Sequence, residues 1–308
     1  MKGQIRAGIN NIYTVRVDGR DIECRIKGKV LGGKETFSNP IAVGDYVTIA
    51  LDPYSPKRGN ILSLEPRANA LTRFSKKKKR IQTIASNVDF LLIVSSVGEP
   101  PFRPRFIDRM LVAAAIGGVT PLVVLNKCDL GIKDEVRRRL DEFRRLSYQV
   151  LVVSATTGGG LDALKKILTQ RTAALAGQSG VGKTSLLNAL EPGLGLKVGK
   201  VSAKYGRGAH TTSYASMITI QGGKLTVIDT PGIRELDIAD LEPEALRFYF
   251  PEFTAVASAC AYPSCLHDRE PECAVKRAVE AKEILDDRYE SYLRILADLA
   301  ERKRSAYE

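Results

Sequence analysis

The sequence predicts a multidomain α/β protein in three parts: an N-terminal OB-type β-barrel, a circularly permuted α/β domain with a parallel sheet and flanking helices, and a C-terminal helical module built around a Cys/His cluster. Three observations support this prediction. Short alternating segments precede residue 68, apolar runs alternate with helical stretches from about residue 87, and three of the five cysteines lie close together beside a histidine. We place the domains at residues 1–68, 69–236 and 237–308.

The 308-residue chain is 44% hydrophobic, and its net charge of +12 is concentrated at one end. The first 80 residues hold 17 basic against 7 acidic residues, a balance of +10. Such a charge favours a polyanion such as RNA as partner, and a solvated basic surface is an equal alternative. No apolar run approaches the roughly 20 residues of a membrane span, and the start lacks the apolar stretch of a signal peptide, so we expect a cytoplasmic protein without a membrane partner.

The barrel prediction depends on short alternating segments separated by Asp-Gly, Gly-Gly and Gly-Asp turn signals. Four or five strands of this length favour a small antiparallel barrel of the OB type, and an SH3-like barrel is the alternative. The charge run from Arg73 to Arg80 cannot enter a core, so we predict an exposed linker there. The predicted barrel strands are Ile12–Val17, Ile22–Ile26, Asp45–Ala50 and Gly59–Leu64.

The second domain shows apolar runs that alternate with helical stretches, the pattern of βα units around a parallel sheet. The predicted strands are Val88–Val94, Pro121–Leu125, Gln149–Val153, Ala173–Ala176, Ser216–Ile220 and Leu225–Ile228. The predicted helices are Arg105–Ile116, Lys133–Leu146, Leu161–Gln170 and Lys183–Leu190, and the tail is predicted to be helical from Ala274 to about Arg304.

The segment Gly177 to Thr184 matches the phosphate-binding motif G-x-x-x-x-G-K-T between a predicted strand and a predicted helix. Its glycines let backbone N–H groups approach phosphates, while Lys183 is predicted to bridge the β and γ phosphates and Thr184 to ligate Mg²⁺. In a D-x-x-G element, Asp229 is predicted to hold Mg²⁺ and Gly232 to contact the γ-phosphate. The predicted phosphate-loop residues are Gly177, Gln178, Ser179, Gly180, Val181, Gly182, Lys183, Thr184 and Ser185.

Asn126, Lys127, Cys128 and Asp129 match the guanine-recognition motif N-K-x-D after a predicted strand, and Ser154-Ala155 follows the next strand as the S-A element. A carboxylate at position 129 accepts two hydrogen bonds from guanine but would face an unpaired acceptor on adenine. This motif precedes the phosphate loop by about fifty residues, the reverse of the order in ordinary small GTPases. The α/β domain is therefore predicted to be a circularly permuted P-loop GTPase domain that binds GTP and GDP.

The segment from Lys204 to Thr212 is predicted to be a mobile first switch, in which Thr211 closes on Mg²⁺, with Thr212 as the alternative. Ile233 stands where Ras-like proteins carry the glutamine that orients the attacking water, and an aliphatic side chain cannot do so. His210 is therefore a catalytic candidate beside Lys183 and Gly232, although a loop hydrogen bond explains it equally well.

The C-terminal cluster Cys260-x4-Cys265-x-His267-x5-Cys273 offers three thiolates and one imidazole within 14 residues. Four such ligands can close tetrahedrally around one Zn²⁺ and leave no open position, so a structural rather than catalytic zinc is predicted. Incidental clustering of these residues is the alternative.

With these motifs, nearly the whole chain resembles the circularly permuted ribosome small subunit-dependent GTPase A family (RsgA/YjeQ). The resemblance implies a monomeric cytoplasmic GTPase that acts late in small-subunit (30S) assembly and is stimulated by the subunit, with the barrel and the zinc module gripping rRNA. A nucleotide-gated scaffold with almost no hydrolysis, or a GTPase of translation or membrane trafficking, would share the nucleotide motifs.

Overall fold

The computed structural model describes residues 1–9, 11–26, 40–75, 80–196, 216–220, 224–229, 238 and 241–307. Five strands form the N-terminal barrel: β1 (Lys2–Ile9), β2 (Ile12–Val17), β3 (Arg20–Ile26), β4 (Tyr46–Asp52) and β5 (Ser55–Leu64). They pair in the order β1-β2-β3-β5-β4, and β4 pairs with β1 to close the barrel. β3 and β5 run parallel and the other barrel pairs are antiparallel, which gives the predicted OB-type barrel.

Strand β1 is absent from the sequence prediction because its apolar alternation is weak. The buried positions near its start are Gly3 and Ile5, and only the second is a large apolar residue. The glycine is required by close packing, since a Cβ on Gly3 would lie 2.5 Å from the Val17 side chain. A buried position that requires glycine therefore weakens the apolar alternation by which strand β1 could have been predicted.

The prediction of a linker over Arg73–Arg80 is wrong at both ends of that range. β6 (Ala70–Ser75) and β7 (Arg80–Ser86) form a two-stranded antiparallel ribbon, and Leu71 and Ala85 in it have no exposed surface. Residues 76–79 lie outside the described part of the chain. The charged positions Arg73 and Arg80 lie within the strands because ladder hydrogen bonds and a few buried apolar side chains suffice to form a ribbon with a polar face.

The central sheet contains β8 (Phe90–Ser96), β9 (Thr120–Asn126), β10 (Gln149–Val152), β11 (Arg171–Ala176), β12 (Ser216–Ile220) and β13 (Leu225–Asp229). Their order is β10-β9-β8-β11-β13-β12, parallel except for β12. The helices of this part are α1 (Pro104–Gly117), α2 (Asp134–Arg145), α3 (Leu161–Leu168) and α4 (Lys183–Leu190). Two apolar cores lie on either side of the sheet, and every predicted strand and helix of this part is confirmed to within about three residues.

The barrel is joined to the central sheet at one place and to the ribbon β6–β7 at another. Ala7 of β1 pairs with Ser216 of β12, so the barrel continues the sheet at its antiparallel edge. On the other side, the buried carboxylate of Asp45 accepts two hydrogen bonds of 2.7 Å from Arg67 and one from the Ser86 hydroxyl. The Ala7–Ser216 pair and the Ser86 hydrogen bond therefore hold the barrel against strands β12 and β7.

The C-terminal part begins with a 3₁₀ helix at Pro243–Tyr249 and continues with α5 (Pro251–Thr254), α6 (Ala274–Glu280) and α7 (Asp286–Tyr307). The predicted single helical segment over Ala274–Arg304 is thus two helices. Lys282 lies between them with a positive φ of 62°, a conformation that ends a helix. None of the described helices combines the length and apolar character needed to cross a membrane.

A buried ionic network joins α1 and α2 to the C-terminal helices. Asp108 of α1 accepts hydrogen bonds from Arg288 at 2.7 Å and from Arg139 at 2.6 Å, and Arg288 also donates to Glu252 at 2.6 Å. All four side chains are almost fully buried, so removing one partner would leave an uncompensated charge. Burial alone would lower the pKa of Arg288, but the carboxylates of Asp108 and Glu252 raise it above its ordinary value.

Candidate nucleotide site and metal centre

The predicted nucleotide motifs lie together at one edge of the central sheet. The parallel strands β8, β9, β10, β11 and β13 all end there, and β12 is the antiparallel exception. Ser96 at the end of β8 pairs with Asn126 at the end of β9, and Ala176 at the end of β11 pairs with Ile93 of β8. The phosphate loop, the guanine motif, the S-A element and Asp229 therefore all follow carboxyl ends of neighbouring strands, where open α/β sheets form ligand crevices.

The side-chain amide of Asn126 holds two of these loops together. Its Nδ2 donates to the backbone oxygen of Val181 in the phosphate loop at 3.0 Å, and its Oδ1 accepts the N–H of Ala155 at 3.1 Å. The side chain is 1% exposed, so both bonds are protected from water. One residue of the guanine motif thus sets the spacing between the phosphate loop and the S-A element.

The phosphate loop needs glycine at particular positions. Gly180 and Gly182 have φ of 84° and 93°, which other residues rarely adopt, and a Cβ on Gly182 would clash with the Asn126 amide. Helix α4 begins at Lys183, directly after the last glycine, so its N-terminal backbone N–H groups face the loop. This is the strand, loop and helix arrangement that binds phosphates in P-loop proteins.

The polar side chains of the loop region are buried and held in place. Lys183 is 6% exposed, and its Nζ donates to the backbone oxygens of Gly177 at 2.7 Å and Gln178 at 2.6 Å. Thr184 and Asp229 are 6% and 7% exposed, on α4 and at the end of β13 respectively. The phosphate-loop side of the edge therefore brings together the Lys183 ammonium group and the side-chain oxygens of Thr184 and Asp229, which suits a phosphate with a hard cation.

The guanine motif forms a tight turn whose acidic residue is open to a ligand. Lys127 has a positive φ of 63° and donates from Nζ to the backbone oxygen of Glu99. The Cys128 N–H donates to Val153 at 3.2 Å, which joins the turn to the end of β10. Asp129 lies in the 3₁₀ turn Cys128–Leu130 and is exposed, while Ser154 is fully buried and its hydroxyl accepts the Thr157 N–H at 3.0 Å.

The loop after β8 also borders this edge, although no motif in the sequence marks it. The Ser96 hydroxyl donates to the Pro100 oxygen at 3.0 Å, and Pro100 Cδ lies 3.2 Å from the Cβ position of Gly180. The backbone oxygen of the neighbouring Glu99 accepts a hydrogen bond from the Lys127 ammonium group. This loop, which contains Pro100, carries no nucleotide motif. The one sequence signal that could have placed it at the site is its position after a strand of the same parallel sheet.

Several predicted residues lie outside the described part of the chain. These are the catalytic candidates His210 and Gly232, the alternative Mg²⁺ ligands Thr211 and Thr212, and Ile233.

The four predicted metal ligands meet at one point, with their ligand atoms all within 4.8 Å of one another. The Sγ atoms of Cys260 and Cys273 are 4.0 Å apart, and they lie 3.6 Å and 3.4 Å from Nδ1 of His267. Tetrahedral zinc with Zn–S bonds of about 2.3 Å separates sulfur ligands by roughly 3.8 Å. The cluster, which includes Cys265, therefore has the dimensions of a tetrahedral site.

The surroundings of this cluster are aromatic and keep its backbone fixed. Tyr289 and Tyr292 of α7 donate to the backbone oxygens of His267 and Leu266, and the Phe253 ring contacts His267 edge-on. Burial raises the pKa of the Cys265 thiol to about 12, and burial together with Arg247 lowers the pKa of His267. A neutral imidazole is the form that ligates metal, whereas a thiol must lose its proton to do so.

Comparisons with known proteins agree with this geometry. The family model of the RsgA GTPase matches residues 64–239. A protein named small ribosomal subunit biogenesis GTPase RsgA from Flavobacterium psychrophilum is 40% identical over 302 residues, which cover 96% of this chain and 92% of that protein. A protein of the same name from Geobacillus kaustophilus is 40% identical over 305 residues, which cover 98% of each.

Two solved structures share the fold. The crystal structure of YjeQ from Thermotoga maritima matches with a TM-score of 0.75 at 35% identity and covers 97% of this chain and 98% of that one. The structure of YloQ, described as a circularly permuted GTPase, matches with a TM-score of 0.68 at 30% identity, covering 98% of this chain and 95% of that one. The predicted fold class, including the permutation, is confirmed.

Proposed function

The chain belongs to the RsgA GTPase family, and from this premise we propose that it is a cytoplasmic, monomeric GTPase of late small ribosomal subunit maturation. In this role it hydrolyses GTP to GDP and phosphate and is stimulated by the subunit. The observation that carries the proposal is the amide of Asn126, which bonds the phosphate loop and the S-A element at once. A pocket that joins phosphate and base recognition in this way supports a nucleotide-dependent enzyme.

We assign base recognition to the guanine motif and phosphate binding to the glycine loop. The exposed carboxylate of Asp129 accepts hydrogen bonds from the guanine edge, and Lys127 packs along the base. Lys183 leaves its two loop carbonyls to contact the β and γ phosphates when nucleotide binds. The same carbonyl contacts hold the ammonium group beside the loop before binding.

We assign two metals. Mg²⁺ fits the oxygen donors Thr184 and Asp229 at the carboxyl edge of the sheet, where it would neutralise charge on the phosphates. One Zn²⁺ fits the Cys260, Cys265, His267 and Cys273 cluster, whose four ligands leave no open position, so its role is structural.

Hydrolysis in this proposal depends on the ribosomal subunit. Ile233 has no group that can orient the attacking water, so the isolated chain hydrolyses GTP slowly. Docking on the subunit places His210 or an equivalent group at the attacking water. The basic N-terminal part, with its +10 balance, supports a contact with rRNA phosphates.

The test measures GTP hydrolysis by the full-length protein alone, with purified small subunits, and with purified large subunits. We expect acceleration of tenfold or more by small subunits and little by large ones, because only the former complete the site. Fast hydrolysis by the protein alone, or equal stimulation by both subunits, would contradict the proposal. A Lys183→Ala variant serves as the control for contaminating GTPases.

A further inference from the structure

We propose that the zinc module carries a docking surface for a basic protein segment, in place of the rRNA contact that the family resemblance implies for this module. The inference rests on the proposed function, since the partner is sought on the small ribosomal subunit. This surface, the aromatic face, consists of Phe248 and the segment 254–266, which contains Tyr262. It surrounds a cavity of about 340 Å³ beside the metal cluster.

The aromatic face exposes large rings and almost no charge. Phe248 is 67% exposed and Tyr262 is 48% exposed, which is unusual for side chains of this size. The thirteen residues 254–266 contain no Asp, Glu, Lys or Arg, in a chain of which 27% is charged. Aromatic enrichment with depletion of charge is the composition of the buried centre of a protein interface.

The Phe248 ring and the backbone of Tyr262 are held in place despite the exposure of both side chains. The guanidinium of Arg247 lies 4.9 Å from the centre of the Phe248 ring, and its Nη1 donates to the backbone oxygens of Pro263 and Cys265 at 3.0 Å and 2.9 Å. The Cys265 N–H donates to the Tyr262 oxygen at 3.1 Å, so Tyr262 begins a tight turn that contains Pro263. A rigid aromatic anchor loses little conformational entropy when a partner covers it.

The charge of the module selects the kind of partner. Residues 237–308 hold 10 basic against 16 acidic residues, a balance of −6, whereas the first 80 residues have +10. RNA backbones are bound by neutralising phosphates, and aromatic stacking sites for single strands lie in positively charged grooves. Among the described residues that line the cavity, only Arg247 carries a full charge, and it is engaged with Phe248 and two carbonyls. A segment that inserts one apolar side chain fits the uncharged face, and Lys and Arg residues on either side of that insertion complement the acidic balance of the surrounding module.

The first experiment places a photo-crosslinking benzoylphenylalanine at Tyr262 of the full-length, zinc-loaded protein and irradiates it with purified small subunits and a non-hydrolysable GTP analogue. We expect crosslinks to a ribosomal protein. Crosslinks to rRNA alone, or none to the subunit, would overturn the inference.

The second experiment measures affinity for intact small subunits and for protein-free small-subunit rRNA. For the double variant Phe248→Ala with Tyr262→Ala we expect at least tenfold weaker binding to subunits and unchanged binding to free rRNA. Arg294→Ala, which removes an exposed side chain of α7 in the same module, should bind both like the wild type. Zinc content checks that each variant is folded.

The two proposals fail differently. If small subunits do not stimulate the wild type, the proposed function is wrong. If they stimulate it but the double variant binds subunits as tightly as the wild type, or loses affinity equally for free rRNA, only the docking inference is wrong.

Discussion

Residues at the nucleotide edge differ in how many loops they contact. Substitutions there can therefore separate base specificity from folding. Asn126 bonds two loops and packs against Gly182, so changing it would disturb several parts of the pocket. Asp129, by contrast, is exposed and lies in the middle of a short 3₁₀ turn. It is therefore the position where base preference can be changed with little effect on the fold.

Replacing Asp129 with Asn should weaken GTP binding by about 10- to 100-fold, because an amide cannot accept both hydrogen bonds from the guanine edge. The same amide can donate to the 2-oxygen of xanthine, so affinity for xanthosine triphosphate should rise. Competition calorimetry with the two nucleotides measures this exchange. Asp134→Asn, an exposed carboxylate at the start of α2, should leave both affinities unchanged, and an unaltered preference in Asp129→Asn would refute the assigned role.

At the scale of elements, zinc is expected to stabilise the C-terminal helices rather than the pocket. Removing the metal by chelation, or by Cys265→Ala, should lower the melting temperature of this module, because its core includes Cys265, Cys273 and the rings that pack on His267. Metal analysis should find one zinc per wild-type chain and much less in the variant, while GTP affinity stays within about threefold. The control variant Cys24→Ala, which removes a buried thiol of the barrel, should keep one zinc per chain. Loss of nucleotide binding before loss of helicity would contradict the separation of the zinc module from the pocket.

The elements also show what sequence can predict. Short periodic segments near glycines, such as α4 and β12, have the predicted bounds, because the apolar period and the glycines leave one interpretation. The ribbon β6–β7 is missed because its charge run outweighs three buried apolar side chains, Leu71, Ile84 and Ala85. The break at Lys282 lies between apolar positions that continue the helical period, so no local signal marks it.

The candidate site follows a similar division. Its motifs are readable from sequence because each has a fixed spacing and follows a strand. The contacts between loops are not readable, since the bond of Asn126 to Val181 spans 55 residues and the Pro100 contact depends on the order of strands. The domain boundaries at 68/69 and 236/237 remain predictions.

The whole molecule is electrically polarised. Residues 1–80 have a balance of +10, residues 81–236 hold 20 basic against 12 acidic residues, and residues 237–308 have −6. The barrel is fixed to the sheet at Ala7–Ser216 and to the ribbon at Asp45–Ser86, and the C-terminal helices are fixed to α1 by the Asp108–Arg288 network. A polarised and internally fixed molecule presents its basic end and its acidic end to a partner in one relative orientation.

This polarity predicts that the salt dependence of subunit binding originates in the N-terminal part. Reversing Lys76 to Arg80 to glutamate, five charges at the ribbon connection, should weaken binding to rRNA of many sequences. Removing one lysine or arginine from a phosphate lowers the slope of log K against log salt by roughly 0.7 to 0.9, so the slope should fall by up to about 4. The control reverses three exposed cations of the acidic module, Arg269, Arg277 and Arg294. This change should leave the slope nearly unchanged, because those residues contact no phosphates if the module binds a ribosomal protein. Equal decreases of slope in both variants would mean that RNA contacts both ends, and a salt-independent wild type would remove the electrostatic basis of docking altogether.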